Sequence, residues 1–205
     1  MLGVLDQRFF LWILAFSAGF IDTATFIGAA GIFSAHVTGN FVVFAATLAS
    51  GHHAGLSKLV TFPFFVAGVL MVGYFNGKLC KKRGFFFMIS GLVILSGVGL
   101  IFFKDGTSFY ACVMGLVFAM GMQNAAHKIF LKNTPTSTVM TGNVTQFFLD
   151  LISKVKSPIY FSTIEMVVSF FVGCVAAALC GIQFGIVSVI LPGVLLLVSS
   201  IMIKD

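Results

Sequence analysis

Charge is what this chain has least of. Only 9% of its 205 residues are charged, and Asp and Glu together number 6. A soluble globular domain carries about 25% charged residues, so that class is excluded. So few acids also leave little from which to build a carboxylate-rich catalytic centre. Neither a G-x-S-x-G elbow nor an H-E-x-x-H zinc motif occurs. The cysteines Cys80, Cys112, Cys174 and Cys180 form no C-x-x-C pair and lie mostly in apolar runs. They read as small buried residues and leave the redox compartment open. His52-His53, with no carboxylate beside it, is a poor metal set. No metal, no organic cofactor and no enzyme activity are expected.

What is abundant is apolar surface. Hydrophobic residues make up 59% of the chain, with 26 Phe and 22 Gly. That combination fits lipid-facing surface plus close helix contacts, an all-α integral membrane protein in one domain, 1–205. The net charge of +6 sits in short loops. There Lys and Arg act as topology signals, not as a nucleic-acid surface. The opening MLGVLDQRFFLWILAFSAGF has no basic region before Arg8 and no A-x-A-like site before Asp22, so it reads as a retained first span and not as a signal peptide.

Six stretches are long enough to cross an apolar core of about 30 Å: 9–30, 59–78, 85–103, 108–127, 159–181 and 184–203. Two shorter, more polar segments lie between them, 33–50 and 137–153, and each carries Thr-Gly-Asn. The tripeptides are Thr38-Gly39-Asn40 and Thr141-Gly142-Asn143. At an offset of 102, Phe16, Gly19 and Ala24 fall on Phe118, Gly121 and Ala126; at 103, Ser34, Phe44 and Leu48 fall on Ser137, Phe147 and Leu151. The chain therefore reads as two repeats, about 1–104 and 105–205. Matched polar interruptions of this kind point to a transporter's binding site.

Two topologies fit. If both short segments cross fully, there are eight spans in parallel halves, 4+4, and the basic residues divide evenly between the two sides. If both dip and return, each half has three spans and the second half is inverted, 3+3 plus two re-entrant helices. With the N-terminus inside, every Lys and Arg of the 12 except Lys58 and Lys104 is then cytoplasmic. The excess of inside charge favours the inverted reading. Such dips survive only where protein or a water-filled cavity surrounds them, so they belong in the middle of the fold.

Thr38 and Thr141 stand where helix N-caps belong, and Gly39 and Gly142 permit close approach. Two such helix starts meeting at the midplane would offer N–H donors to an anionic or acceptor-rich solute, with Asn40 and Asn143 beside them. The alternative is that these residues only cap and brace. Asp22 lies deep in the first span, where an acid is costly without a partner and commonly marks an ion or proton pathway. His36 is its candidate partner, with a titration range suited to proton coupling. The second half has Asn124 and Val139 at the matching positions, so titratable chemistry belongs to one half. Gln123 and Asn124 are substrate-contact or helix-bridging candidates, and Glu165 is a weaker one. His127 and Lys128 end a span and are expected to face headgroups. Gly73-x-x-x-Gly77 and Gly181-x-x-x-Gly185 suggest tight crossings. Pro63 and Pro192 suggest kinks, and Pro135 shapes the second dip.

GFIDTATF, FSAHVTGN, GMQNAAHK and STVMTGN, in that order, resemble the YoaK-like or DUF1275 family of small bacterial membrane proteins over nearly the whole chain. The resemblance implies an inner-membrane protein of about six or more helices and carries no substrate or mechanism. The expected function is a secondary transporter for a small polar or anionic solute, coupled to protons, with a central site at the repeat interface. A channel and a non-transporting scaffold or sensor are the alternatives. The expected partners are the solute and the lipid bilayer, with no nucleic acid. A homo-oligomer stays open, because glycine-rich faces serve contacts within and between subunits alike.

Overall fold

The structure is a computed structural model and describes residues 4–50, 55–78, 81–153 and 159–203, the side chains of 4–6 and 159–162 apart. His52, His53, Cys80, Lys154, Lys156 and Lys204 lie outside the described residues. The described residues form eight α-helices: α1 Val4–Gly28, α2 Val37–Ala49, α3 Leu56–Phe75, α4 Lys82–Phe102, α5 Gly106–Phe130, α6 Met140–Ile152, α7 Ile159–Phe184 and α8 Ile190–Met202. A 3₁₀ turn, Gly185–Val189, joins α7 to α8.

Among the described residues, five stretches are long and apolar enough to cross a membrane: Gln7–Gly28, Leu56–Phe75, Lys82–Phe102, Gly106–Phe130 and the continuous Thr163–Met202. The last merges two of the six spans read from the sequence. As one straight helix its 40 residues would reach about 60 Å, twice an apolar core. The chain breaks instead at Gly185, whose φ of 60° glycine adopts without a steric penalty. Pro192 falls in the first turn of α8, where its missing N–H leaves no bond unmade, so it starts a helix and does not kink one. Pro63 lies inside α3.

Helix directions follow from side-chain contacts. Arg8 pairs with Glu165, the Ser169 hydroxyl donates to the Trp12 carbonyl (2.8 Å), and Gly28 lies against Ile186, so α1 and α7 run side by side in the same direction. They touch backbone to backbone. A β-carbon on Gly19 would collide with the Phe170 carbonyl, and one on Gly173 with that of Phe16. The same device joins α3 to α5, where Gly68 meets the Phe118 carbonyl and Gly121 that of Phe65. Each partner is a Phe-x-x-Gly string, and glycine alone lets the backbones approach this closely. The glycines expected to do this, Gly73, Gly77, Gly181 and Gly185, have nothing within 4 Å of a β-carbon position. Apolar sequence alone does not say which glycine faces a neighbour.

A third matched string appears where α4 crosses α8. Val93-Ile94-Leu95-Ser96-Gly97 and Val189-Ile190-Leu191-Pro192-Gly193 seat each glycine on the other's isoleucine: a β-carbon on Gly97 would stand 2.6 Å from Ile190, and one on Gly193 2.8 Å from Ile94. The core forms two layers. One gathers the second half of α1 (Ala18, Phe20, Ile21) with the first half of α5 (Val113, Leu116) and Val189. The other gathers the first half of α1 (Phe10, Leu14) with the second half of α5 (Met122, Ala126) and Leu196. Thus α1 and α5 run in opposite directions.

The short helices sit at the edge, contrary to the expectation that they lie in the middle. α2 packs on α3 and α6 on α7, with no comparable packing between α2 and α6. Among their residues only Val37 and Asn40, and Met140 and Asn143, are buried. What is buried is the irregular chain before each helix: Ile32, Ser34 and Ala35 in one half, Pro135, Ser137 and Thr138 in the other. Backbone without helical hydrogen bonds needs protein around it, whereas a helix satisfies itself and tolerates lipid.

Candidate functional site

The first-half site is built by a reversal at the end of α1. Ala30 and Gly31 take φ of 52° and 77°, and the Gly31 N–H closes on the Phe26 carbonyl at 3.0 Å. The chain then runs back along α1 as 32–36. The Lys58 side chain, from the first turn of α3, lies 4.0 Å from where a β-carbon on Gly31 would stand, so α3 begins at the end of the molecule where α1 finishes.

This returning segment brings polar backbone into an apolar core, and side chains satisfy it. Asp22 Oδ1 accepts the N–H of Ala35 (2.7 Å) and of His36 (3.3 Å), while Oδ2 pairs with His36 Nδ1 at 2.7 Å. The Thr25 hydroxyl donates to the Ile21 carbonyl (2.9 Å) and accepts from Ser34 (3.0 Å). Asn40 closes the loop from the other side. Its Oδ1 accepts the Phe33 N–H (2.8 Å), and Nδ2 donates to the Phe33 carbonyl (2.7 Å) and to Thr61 (2.9 Å). Asp22 is 4% exposed, whereas the His36 side chain is 36% exposed and meets the Phe170 ring edge-on at 5.5 Å. A buried acid is thus linked through one imidazole to the protein's surroundings.

The second half repeats the frame with different chemistry. Asn143 Nδ2 donates to the Thr136 carbonyl (2.8 Å), the counterpart of Asn40 on Phe33, each seven residues upstream. Gln123 Nε2 donates to the Leu14 carbonyl (3.0 Å) and to Ser137 Oγ (3.3 Å), joining α5 to α1 and to the loop. His127 pairs with Thr134 at 3.0 Å and is only 2% exposed, so it faces the core and not the headgroups. Here the oxygens are not all used. Gln123 Oε1, Asn124 Oδ1, Thr138 Oγ1 and Ser17 Oγ are buried with no partner among the described residues.

The predicted residues therefore divide. Asp22, His36 and Asn40 come together around one loop, and Gln123 and Asn143 tie down the other, with Asn124 beside Gln123 in sequence. Thr38 and Thr141 are exposed. They are not N-caps: His36 and Val139 hold those positions, without a side-chain cap bond, and each threonine is the second residue of its helix. Gly39 lies over the Phe33 ring, and Gly142 is exposed. The two tripeptides do not meet, since α2 and α6 pack on different helices. Glu165 is bonded to Arg8 and to the Trp12 indole N–H (3.1 Å) near the start of α1. That is 14 residues, about 21 Å along the helix, from Asp22.

Thr25, Phe33, Thr61, Ser17 and Thr138 were missed as site residues. Ser34 and Ser137 were visible as a matched pair. The α4–α8 match was not, because its offset is 96, not 102 or 103.

The family model DUF1275, described as a protein of unknown function, matches residues 10–202. No curated protein and no solved structure is matched. With nearly its whole length covered, the chain belongs to the DUF1275 family.

Proposed function

We propose that this chain is a secondary transporter of a bacterial inner membrane, moving a small polar or anionic solute with proton coupling through Asp22 and His36. The observation that carries the reading is the buried carboxylate of Asp22 bonded to a histidine that reaches the surroundings. An acid held at that depth is costly unless it works or is fully partnered, and only the first half has one. His36 offers the proton a path in and out of the core.

The proposed architecture is an inverted pair of three-span halves, each with one re-entrant segment. Three observations support it. α3 starts where α1 ends, which a full crossing by the segment between them would forbid. α1 and α5 share their core layers head to tail. The Phe-x-x-Gly crossings exchange partners between halves, α1 with α7 and α5 with α3. Inverted halves place solute sites near the interface of the repeats. The Gln123 side chain, bonded to α1 from α5, lies on that interface.

Purified protein in liposomes with an entrapped pH dye tests the reading. Short carboxylates, amino acids and phosphorylated sugars are offered one at a time. At least one should drive saturable proton movement, lost in Asp22→Asn. Non-saturating flux indifferent to a pH gradient would make it a channel. No solute-driven flux in either direction would leave a scaffold or sensor.

A further inference from the structure

The second-half junction carries more than bracing requires. Three elements meet at Gln123: α5 itself, α1 at Leu14, and the returning segment at Ser137. The same three elements carry four buried oxygens without a partner among the described residues: Gln123 Oε1, Asn124 Oδ1 next to it in sequence, Thr138 Oγ1 next to Ser137, and Ser17 Oγ one turn along α1 from Leu14. Gln123 and Ser17 are fully buried and Thr138 is 2% exposed. A buried acceptor left unpaired costs about 1–3 kcal/mol, so four on three contacting elements need a reason.

The corresponding first-half positions show what such a reason looks like. Asp22, the counterpart of Asn124, receives two backbone N–H groups and an imidazole. At Asn124 the acid is an amide, and the imidazole position holds Val139, which is 47% exposed. The second half has therefore exchanged a negative charge and its donors for a set of neutral oxygens.

We propose that this junction binds a small monovalent cation of the Na⁺ class, coordinated by the oxygens of Gln123, Asn124, Thr138 and Ser17. Two amide oxygens are pure acceptors, and the two hydroxyls accept as readily as they donate. Oxygen ligands suit hard cations. Calcium sites draw on carboxylates and magnesium keeps its waters and binds through carboxylates or phosphates, and this set holds neither, which selects a single charge. A bound cation would fasten α1, α5 and the second returning segment together, as Asp22 fastens the first. The site stands whether or not the protein transports anything.

The test is thermal unfolding of the full-length protein in detergent at constant ionic strength in NaCl, KCl or choline chloride. A thiol-reactive fluorogenic dye reads the exposure of the four cysteines as the protein unfolds. Na⁺ at tenfold its dissociation constant should raise the midpoint by roughly 3–6 °C over choline, saturably. Asn124→Val and Thr138→Val should each remove most of that shift, while their midpoints in choline stay level or rise, because each deletes an unpaired polar group. Equal wild-type midpoints in Na⁺ and choline would overturn the site, as would a full Na⁺ shift in both variants. The wild-type salt comparison decides the matter even if a variant fails to fold, and it reads binding alone, so failed transport leaves it untouched.

Discussion

The two returning segments, 32–36 and 134–139, do the same job with different bonds. Each leaves a long helix, re-enters the core and is clasped by an asparagine seven residues downstream of the backbone it holds. The first is also held by a carboxylate, an imidazole and Thr61. The second is held by Gln123 through a serine, with oxygens to spare. Where two halves share a frame, what differs between them is the better guide to function. The frame is a requirement of any irregular backbone packed into an apolar core, whereas a buried acid on one side alone is not.

The largest expected effect breaks this comparison at its centre. Asp22→Ala strands two backbone donors and the imidazole, and should cost about 3–5 kcal/mol, whereas Asn124→Ala should cost about 1 or less. Unfolding midpoints in detergent check both, and equal losses would end the claim that the halves differ. At the crossings, where the halves are alike, Gly19→Leu and Gly121→Leu should each cost about 1–3 kcal/mol or more by overpacking. Unequal losses there would separate the two crossings.

Transplanting the first clasp sharpens the contrast. Asn124→Asp alone buries an unpaired acid and should destabilise; adding Val139→His should recover about 1–3 kcal/mol of coupling in a double-mutant cycle. Asn40→Ala, losing three bonds, should cost about 2 kcal/mol, and Asn143→Ala about half that. The smallest effects belong to Thr38→Val and Thr141→Val. Both residues are exposed, and their midpoints should move by no more than about 0.5 kcal/mol equivalent. A large loss in either would return the threonines to a capping role.

The site was legible in part. Asp22 with His36 could be read because an acid has few reasons to lie in an apolar run and a histidine fourteen residues on is a ready partner. The threonines could not be placed, because a cap is defined by where the backbone turns helical, and each helix begins two residues earlier than a threonine cap requires. His127 looked like a headgroup contact from its place at a span's end. Its burial depends on Thr134, which the reversal after α5 brings back to it.

Composition and spacing by themselves determined that the chain is apolar and helical, where its helices lie within a few residues, and that its halves share motifs. These follow from local physics: apolar run length, charge scarcity and periodic small residues act within one segment. Only the tertiary structure decided which glycines touch, that the tripeptides sit on peripheral helices, and that one loop is well bonded while the other keeps oxygens unpaired among the described residues. Those depend on which face of each helix meets which neighbour. A rotation of one residue, about 100°, changes that face without changing the composition at all.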